Sequence, residues 1–196
     1  MQVESGDVVV VKGKTVVPEE KKVYLAFNKP RGIVCTAEKR EKNNVIDYLS
    51  YPVRIYPVGR LDKDSEGLLL MTNDGAIVNG IMRARNRHEK EYQVEVNKEI
   101  TPEFLKKMAS GVPILDTVTR PCRIRKMGER SFTIILTQGL NRQIRRMCEA
   151  LGYRVTKLKR VRIMNVHLKD LKTGEYRPLT EKELAELKKQ IGEEKR

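Results

Sequence analysis

An unbroken apolar run directly behind a charged loop constrains the fold of this chain more than any other stretch. Residues 68–71 are Leu, Leu, Leu and Met, a length that suits a buried strand and is too short to cross a membrane. The loop before them carries Arg60 and Asp62 behind Gly59. The stretch therefore predicts a loop held against a buried strand, with Asp62 as the candidate functional group.

Capping residues predict several helices. Asn, Asp, Ser and Thr side chains accept hydrogen bonds from the free N–H groups of a first helical turn, and Pro suits the first helical position. Helices are predicted after Asn43 or Asn44 up to Leu49, after Asp74 up to about Arg83, after Thr101-Pro102 up to Ser110, and after the capping box Thr180-x-x-Glu183.

A further helix is predicted between Asn141 as its cap and Gly152 as its end. Its apolar stripe consists of Ile144, Met147, Cys148 and Leu151, and Arg142, Arg145 and Arg146 lie on the opposite face. Three like charges on one helical surface indicate either a solvated basic face or a phosphate site at the helix N-terminus. An arginine there is also suited to pair with a buried carboxylate.

Alternating and apolar segments predict the strands. These are residues 7–11 and 15–17 as a hairpin, then 23–28, 91–96, 119–126, 131–137, 153–163 and 165–171. In the strand at 91–96, Tyr92 begins the apolar face. It is interpreted either as a core tyrosine or as a ring that stacks on a base at the edge of a site. The turn Lys29-Pro30-Arg31-Gly32 is equally consistent with an ordinary turn and with a phosphate contact.

The charge balance indicates the partner. The 196 residues include 40 Lys and Arg against 26 Asp and Glu, a net charge of +14. This excess favours a nucleic acid over the alternatives, a solubilising surface or heat-adapted surface ions. The length predicts one domain, or one with a small appendage. With no signal peptide, no membrane span and three widely separated cysteines without zinc spacing, a cytoplasmic protein is expected.

The charged loop also resembles the start of a calcium loop, but that reading is disfavoured. The spacing Asp62-x-Asp64-x-Glu66-Gly67 requires a bidentate Glu at the twelfth position, where this chain has Asn73. What remains is an aspartate in a basic protein, and an ionised carboxylate can act as a nucleophile. If the partner is RNA, the attacked nucleotide must first leave the base stack, and Arg60 could fill the gap.

These motifs together resemble those of the RsuA-type pseudouridine synthases, and the chain is most similar to the RluF branch. The matching segments, in the family's order, are Lys29-Pro30-x-Gly32, Gly59-Arg60-Leu61-Asp62 with Asp64-Ser65-x-Gly67-Leu68-Leu69, His88-Glu89-Lys90-Glu91-Tyr92, and Asn141-Arg142-Gln143-Ile144-Arg145-Arg146-Met147. The resemblance implies an α+β fold, with a largely antiparallel mixed sheet, flanking helices and a site in a central cleft. It also implies isomerisation of uridine to pseudouridine in structured RNA, 23S ribosomal RNA first and a tRNA second.

The resemblance further assigns roles to residues. Asp62 would be the nucleophile, Tyr92 would stack on the flipped base and take the C5 proton, and Arg145 would pair with Asp62. Arg60 would enter the vacated stack, and substrate contacts are expected from Lys29, Arg31, Lys90, Arg142, Gln143 and Arg146. The resemblance implies no metal and no cofactor. It leaves open whether Asp62 attacks the sugar directly or assists through a glycal intermediate.

One departure from the family concerns the N-terminus. Family members commonly carry an S4-like RNA-binding domain, of which residues 1–20 could match only the last strands, and residues 21–196 are expected to form the catalytic domain. Substrate affinity and target choice are thus less defined than the chemistry. We expect a monomer. The alternative hypothesis is a catalytically inactive RNA-binding ribosome-assembly factor, against which the intact set Arg60, Asp62, Tyr92 and Arg145 argues.

Overall fold

The computed structural model describes residues 9–11, 14–16 and 21–192. Its helices are α1 (Val45–Leu49), α2 (Gly75–Arg83), α3 (Pro102–Ser110), α4 (Gln143–Ala150) and α5 (Glu181–Gly192). Its strands are β1 (Val9–Val11), β2 (Lys14–Val16), β3 (Tyr24–Lys29), β4 (Tyr56–Val58), β5 (Glu66–Thr72), β6 (Lys90–Val96), β7 (Pro113–Ile114), β8 (Thr117–Val118), β9 (Arg123–Gly128), β10 (Ser131–Leu136), β11 (Val155–Ile163), β12 (Val166–His167) and β13 (Tyr176–Pro178). No helix in the described part of the chain has the length and apolar character needed to cross a bilayer.

A nine-stranded sheet organises the molecule, with the strand order β13-β3-β5-β11-β6-β10-β9. β12 pairs with β11, and β4 pairs with β5. The β5–β11 pair is parallel, whereas the other pairs in this sheet are antiparallel. The hairpins β1–β2 and β7–β8 form separate two-stranded sheets. The predicted α+β class, with a largely antiparallel mixed sheet, is confirmed.

The apolar run of β5 is continuous because both of its faces are buried. Successive side chains of a strand point to opposite faces, and Leu68 and Leu70 pack in a cluster with residues of α2 and α5. Leu69 and Met71 belong to a second cluster on the other face, which includes Val45 of α1. The sequence pattern thus places β5 in the interior of the fold, and the charged loop before it is fixed to a rigid strand.

A third apolar cluster covers one face of β6, β10 and β11. It contains Val94 and Val96 of β6 together with residues of α3 and α4, among them Phe104 and Ile144. Tyr92 packs against this cluster as a partly buried residue. Tyr92 and α4 are therefore on the same side of the sheet.

The parallel seam between β5 and β11 joins the two halves of the sheet at a glycine. Gly67 lies opposite Arg160, its φ is +108°, and a Cβ atom there would lie 2.2 Å from the Arg160 carbonyl oxygen. Only glycine allows this approach of the two backbones. The seam lies directly behind the loop that carries Asp62.

Most of the predicted helices are confirmed. Asn44, Asp74 and Thr101 each accept a hydrogen bond from the first turn of α1, α2 and α3. Thr180 and Glu183 form the predicted capping box, with reciprocal backbone-to-side-chain bonds of 2.9 and 3.1 Å.

Other expectations were wrong in detail. Arg142, not Asn141, is the N-cap of α4, and it makes no side-chain capping bond. The strand expected at 119–126 begins only at Arg123, because residues 119–122 connect the β7–β8 hairpin to β9. The strand expected at 165–171 is limited to Val166–His167. Parts of the N-terminal hairpin prediction, and the C-terminal tail 193–196, lie outside the described residues.

Candidate active site

The loop before β5 is held in a fixed shape by its own backbone and by buried neighbours. Gly59 has a φ of +75°, and the Ser65 amide donates to the Asp62 carbonyl at 3.0 Å. The Leu61 amide contacts the Cys35 Sγ atom at 3.4 Å. The Arg160 guanidinium donates to the Leu68 carbonyl at 2.8 Å and to the Arg60 carbonyl at 3.5 Å. These contacts leave little freedom for the backbone that carries Asp62.

Two aspartates of this loop meet one arginine. Arg142 donates two hydrogen bonds to the Asp64 carboxylate, at 3.0 and 2.8 Å, and its Nη1 lies 3.5 Å from the Oδ2 of Asp62. Its backbone is left-handed, with φ 48°, an uncommon conformation for a residue with a Cβ atom that is often found at functional sites. The paired bonds from Arg142 lower the pKa of Asp64 to about 2. The two carboxylates are similarly exposed, Asp62 to 38% and Asp64 to 37%, so they differ in how they are paired with Arg142.

Arg145 does not form the ion pair with Asp62 that the family resemblance implied. Its Nη2 donates to the Asp64 carbonyl at 3.0 Å and to the Ser65 Oγ at 3.1 Å, and its Nη1 lies 3.6 Å from the Asp64 carboxylate. Arg145 is buried, which excludes for this residue the alternative of a solvated basic face. Its Nε atom has no hydrogen-bond partner among the described residues, so one buried donor remains available to an acceptor.

Lys29 is not placed to contact a phosphate. The residue is fully buried, and its ammonium donates to the carbonyls of Pro30 and Ile33 at 2.9 and 2.7 Å and, at 3.5 Å, to that of Lys63. Burial lowers its pKa. Lys29 therefore ties the turn after β3 to the Asp62 loop, a structural role that the sequence did not reveal.

Tyr92 lies across the seam from the Asp62 loop. It pairs with Arg160 of β11, which in turn pairs with Gly67 of β5. Neighbouring strands are about 4.8 Å apart, so one strand separates Tyr92 from the strand that follows the loop. Lys90 is two residues earlier, on the same face of β6, and donates to the Arg85 carbonyl at 2.8 Å. Burial and the charge of Arg160 lower the pKa of Lys90 to about 8.

The remaining predicted substrate contacts differ in accessibility. Arg60 and Arg31 are exposed, and Arg31 reaches the Thr156 carbonyl at 3.4 Å. Arg146 donates to the backbone and side-chain oxygens of Asn141, both at 3.0 Å. Gln143 is buried and accepts the Leu140 amide at 3.1 Å, so it shapes the loop before α4 and is not available to substrate.

Sequence reasoning missed three residues that build the site. Asp64 was noted in the calcium pattern and in the family motif but was given no role in the site, although Arg142 and Arg145 lie 2.8 and 3.6 Å from its carboxylate. Cys35 and Arg160 fix the loop from elements far away in the chain. Arg160 had one visible signal, a basic residue within a predicted strand, but its inward direction depends on a register shift of β11 against β6 between residues 160 and 162.

A shallow cavity elsewhere in the molecule is unrelated to this site. It has a volume of about 390 Å³ and is lined by Gln93, Lys159, Val161, His167, Leu168 and Lys169. Gln93 alternates with Tyr92 along β6, so this cavity opens on the opposite face of the sheet. It contains none of the predicted site residues.

Comparison with known proteins gives consistent similarities. A family model for RNA pseudouridylate synthase matches residues 23–150. The chain is 55% identical over 192 residues to the dual-specificity RNA pseudouridine synthase RluF of Salmonella typhi, covering 97% of this chain and 66% of that protein. The chain therefore spans just under two thirds of the length of this relative.

Two further similarities cover more of the matched protein. Ribosomal large subunit pseudouridine synthase B of Bacillus subtilis (strain 168) is 36% identical, covering 96% of this chain and 80% of that protein. A crystal structure of a pseudouridylate synthase superposes with a TM-score of 0.79 at 29% identity, covering 95% of this chain and 83% of that chain.

Proposed function

The chain belongs to the RNA pseudouridylate synthase family, and from this premise we propose that it isomerises uridine to pseudouridine in structured RNA. The observation that carries the proposal is the asymmetry of the two loop aspartates. Asp64 takes both hydrogen bonds from Arg142, whereas the Asp62 carboxylate lies 3.5 Å from the same guanidinium in a looser ion pair, although the two side chains are almost equally exposed. A carboxylate that is held in place by a neighbouring charge, but whose oxygens are not occupied by paired hydrogen bonds, is suited to act as a nucleophile.

In the proposed reaction Asp62 assists the cleavage of the bond between uracil N1 and the ribose C1′. The uracil turns, C5 bonds to C1′, the C5 proton leaves, and N1 ends the reaction protonated. Tyr92 stacks on the flipped base, which is favourable for any nucleobase, and receives the C5 proton. Arg60 occupies the gap that the flipped nucleotide leaves in the stack.

The arginines of α4 have a positioning role in this scheme. Arg142 and Arg145 hold Asp64 and the backbone around it, and so fix Asp62, two residues earlier. The buried Nε of Arg145 lacks an acceptor. An oxygen of the substrate, or of Asp62 itself after RNA has bound, would satisfy this donor, which supports a pairing of Arg145 with Asp62 in the complex. Arg31, Lys90 and Arg146 contribute phosphate contacts at the rim.

We propose ribosomal RNA as the first substrate and a tRNA as the second. This rests on the relatives, one named as a dual-specificity enzyme and one as a ribosomal large subunit enzyme, and on the net charge of +14. Such substrates imply a cytoplasmic enzyme, and we propose that it acts as a monomer. Residues 21–196 are proposed as the catalytic domain, because the matched region starts at residue 23 and the main sheet at Tyr24.

Tritium release from [5-³H]uridine-labelled 23S ribosomal RNA tests the proposal. The wild type is expected to release tritium, and Asp62→Asn is expected to abolish release while RNA binding by filter retention is kept. Asp170→Asn, which changes an exposed aspartate in the loop after β12, serves as the matched control and is expected to keep wild-type activity. RNA binding by the wild type without tritium release would instead support the inactive assembly factor.

A further inference from the structure

The turn of the β7–β8 hairpin breaks the rule that normally governs such turns. Ile114 pairs with Thr117, so the loop consists of Leu115 and Asp116, whose φ angles are +46° and +61°. A two-residue turn with both φ values positive strongly prefers Asn-Gly or Asp-Gly, because a Cβ atom is disfavoured in the left-handed region. A leucine at the first position is therefore a strained choice.

Burial does not compensate for this strain. Leu115 is 46% exposed and Val118, on the second strand, is 60% exposed. A leucine buried in the core would gain hydrophobic stabilisation, but this one presents its side chain to solvent. An outlier of this kind, without a packing reason, is a sign of function.

The base of the hairpin is rigid, so its tip is held in a defined position. The Val112 amide donates to the Thr119 Oγ1 at 2.8 Å, and the Thr119 amide donates to the Val112 carbonyl at 3.0 Å. Gly111 lies so close that a Cβ atom there would be 2.5 Å from the Thr119 carbonyl oxygen. A rigid base with a strained, exposed tip is suited to contact a partner without a large ordering cost.

The hairpin is connected to the candidate site through α4. β7 lies against α4, the helix whose arginines hold the Asp62 loop. Directly after β8, the Arg120 amide donates to Gln138 at 3.1 Å, and its guanidinium donates to the Asn86 carbonyl at 2.7 Å. Gln138 in turn accepts from Gln143 of α4 at 3.3 Å. Arg120 thus connects the start of α4 with the loop after α2.

Basic residues lie along this connection between the hairpin and the loop after α2. The loop after α2 exposes Arg85 and Arg87, its one acidic residue, Glu89, is paired with Arg123 and Arg162, and Arg120 is exposed beside it. These exposed arginines are suited to bind the phosphates of an RNA backbone. Asp116 at the tip repels phosphates, so the tip is suited to the base side of a strand, where its carboxylate can accept from amino groups or a 2′-hydroxyl.

We infer that the β7–β8 hairpin is an RNA-docking element, in which Leu115 packs on a base of the structured RNA that flanks the target uridine and Arg120 binds the adjoining phosphate. The inference rests on the proposed function for its substrate class. It assigns a role to a segment that none of the catalytic motifs includes.

Leu115→Asn separates docking from a merely structural role, because Asn suits the left-handed turn. We expect the midpoint of thermal unfolding to rise or stay constant, while the Kd for in vitro transcribed 23S ribosomal RNA weakens about fivefold to tenfold, as for the loss of one stacked or packed base. Met127→Gln removes a comparably exposed apolar side chain, 54% exposed on β9, and is the matched control with unchanged Kd. An unchanged Kd for Leu115→Asn, or equal weakening by the control, would overturn the inference.

Arg120→Gln tests the phosphate contact. The slope of log Kd against log salt concentration is expected to fall by about one, the value for one lost phosphate contact, whereas Arg125→Gln on β9 keeps the wild-type slope. Equal slopes for both variants contradict the docking role. Tritium release is scored on the wild type alone, so a protein that binds RNA through the hairpin without releasing tritium refutes the proposed function and leaves the docking inference intact.

Discussion

Two arginine–carboxylate clusters in this molecule share their chemistry and differ in their surroundings. At the candidate site Arg142 donates to Asp64 at 3.0 and 2.8 Å. At the start of α5, Arg177 donates to Glu183 at 2.7 and 2.9 Å. In each cluster the hydrogen bonds from the arginine are the main cause that lowers the carboxyl pKa to about 2.

The surroundings decide what each cluster does. The Glu183 side chain is only 9% exposed and also closes the capping box with Thr180, so this cluster fixes one helix end. The Asp64 side chain is 37% exposed and lies in a loop two residues after a second carboxylate. The same charge-assisted pairing thus caps a helix in one place and, under the proposed function, positions Asp62 in the other.

The largest expected difference between the clusters is in turnover. Asp64→Asn removes the charged acceptor of Arg142 and Arg145, so the loop that carries Asp62 is no longer held in place, and kcat for tritium release is expected to fall about 100-fold, as for a reactive group misplaced by about 1 Å. Multiple-turnover assays with saturating RNA measure this kcat. Glu183→Gln is the control and should keep the wild-type kcat. A wild-type kcat for Asp64→Asn would show that the cluster does not position Asp62.

The second difference is in the free energy of unfolding. Glu183→Gln replaces two charge-assisted hydrogen bonds with weaker ones, and the free energy of unfolding is expected to decrease by about 2 kcal/mol. Urea denaturation followed by circular dichroism measures this change. Glu186→Gln, on the exposed side of α5, should remain within about 0.5 kcal/mol of the wild type. If both variants lowered the free energy of unfolding by a similar amount, the cluster of Arg177 and Glu183 would not stabilise the fold more than an exposed glutamate does.

The smallest effect is the acid dependence of stability. Because the pKa of Glu183 is about 2 in the folded protein and about 4.3 in an unfolded chain, its contribution is complete above the unfolded value and is lost as the pH falls from there toward the folded value. The stability of the wild type should therefore decline on acidification through this window, and that of Glu183→Gln should decline less. Urea midpoints at a series of acidic pH values check this, and parallel curves would contradict it.

Local signals predicted the helices and the functional loop because their causes are local. Asn44, Asp74 and Thr101 cap helices within three residues of themselves, and the spacing of apolar residues identified β5 as buried. The family motifs placed Asp62, Arg142 and Arg145 in one site, and the structure brings them together. In this structure Arg145 contacts Asp64 and Ser65 and not Asp62, because the choice of partner depends on the exact position of α4 over the loop.

The missed features either lack the usual local signature or depend on contacts between segments that are far apart in the sequence. The burial of Lys29 depends on carbonyl oxygens of its own turn and of Lys63, and a lysine beside a proline turn looks exposed in the sequence. The β7–β8 hairpin was missed because its turn residues are Leu115 and Asp116, which lack the usual hairpin signature. β13 is a short edge strand that is recognised from its pairing with β3 in the structure.

The sequence by itself determined the charge that favours RNA, the buried strand behind the loop, and the family to which the loop belongs. Composition, periodicity and motif order are properties of the chain and need no neighbours in space. Tertiary structure alone decided which aspartate receives the paired hydrogen bonds, because that depends on whether Arg142 and Arg145, at the start of α4, reach Asp64 or Asp62. The two carboxylates are chemically identical, and only the position of the start of α4 over the loop distinguishes them.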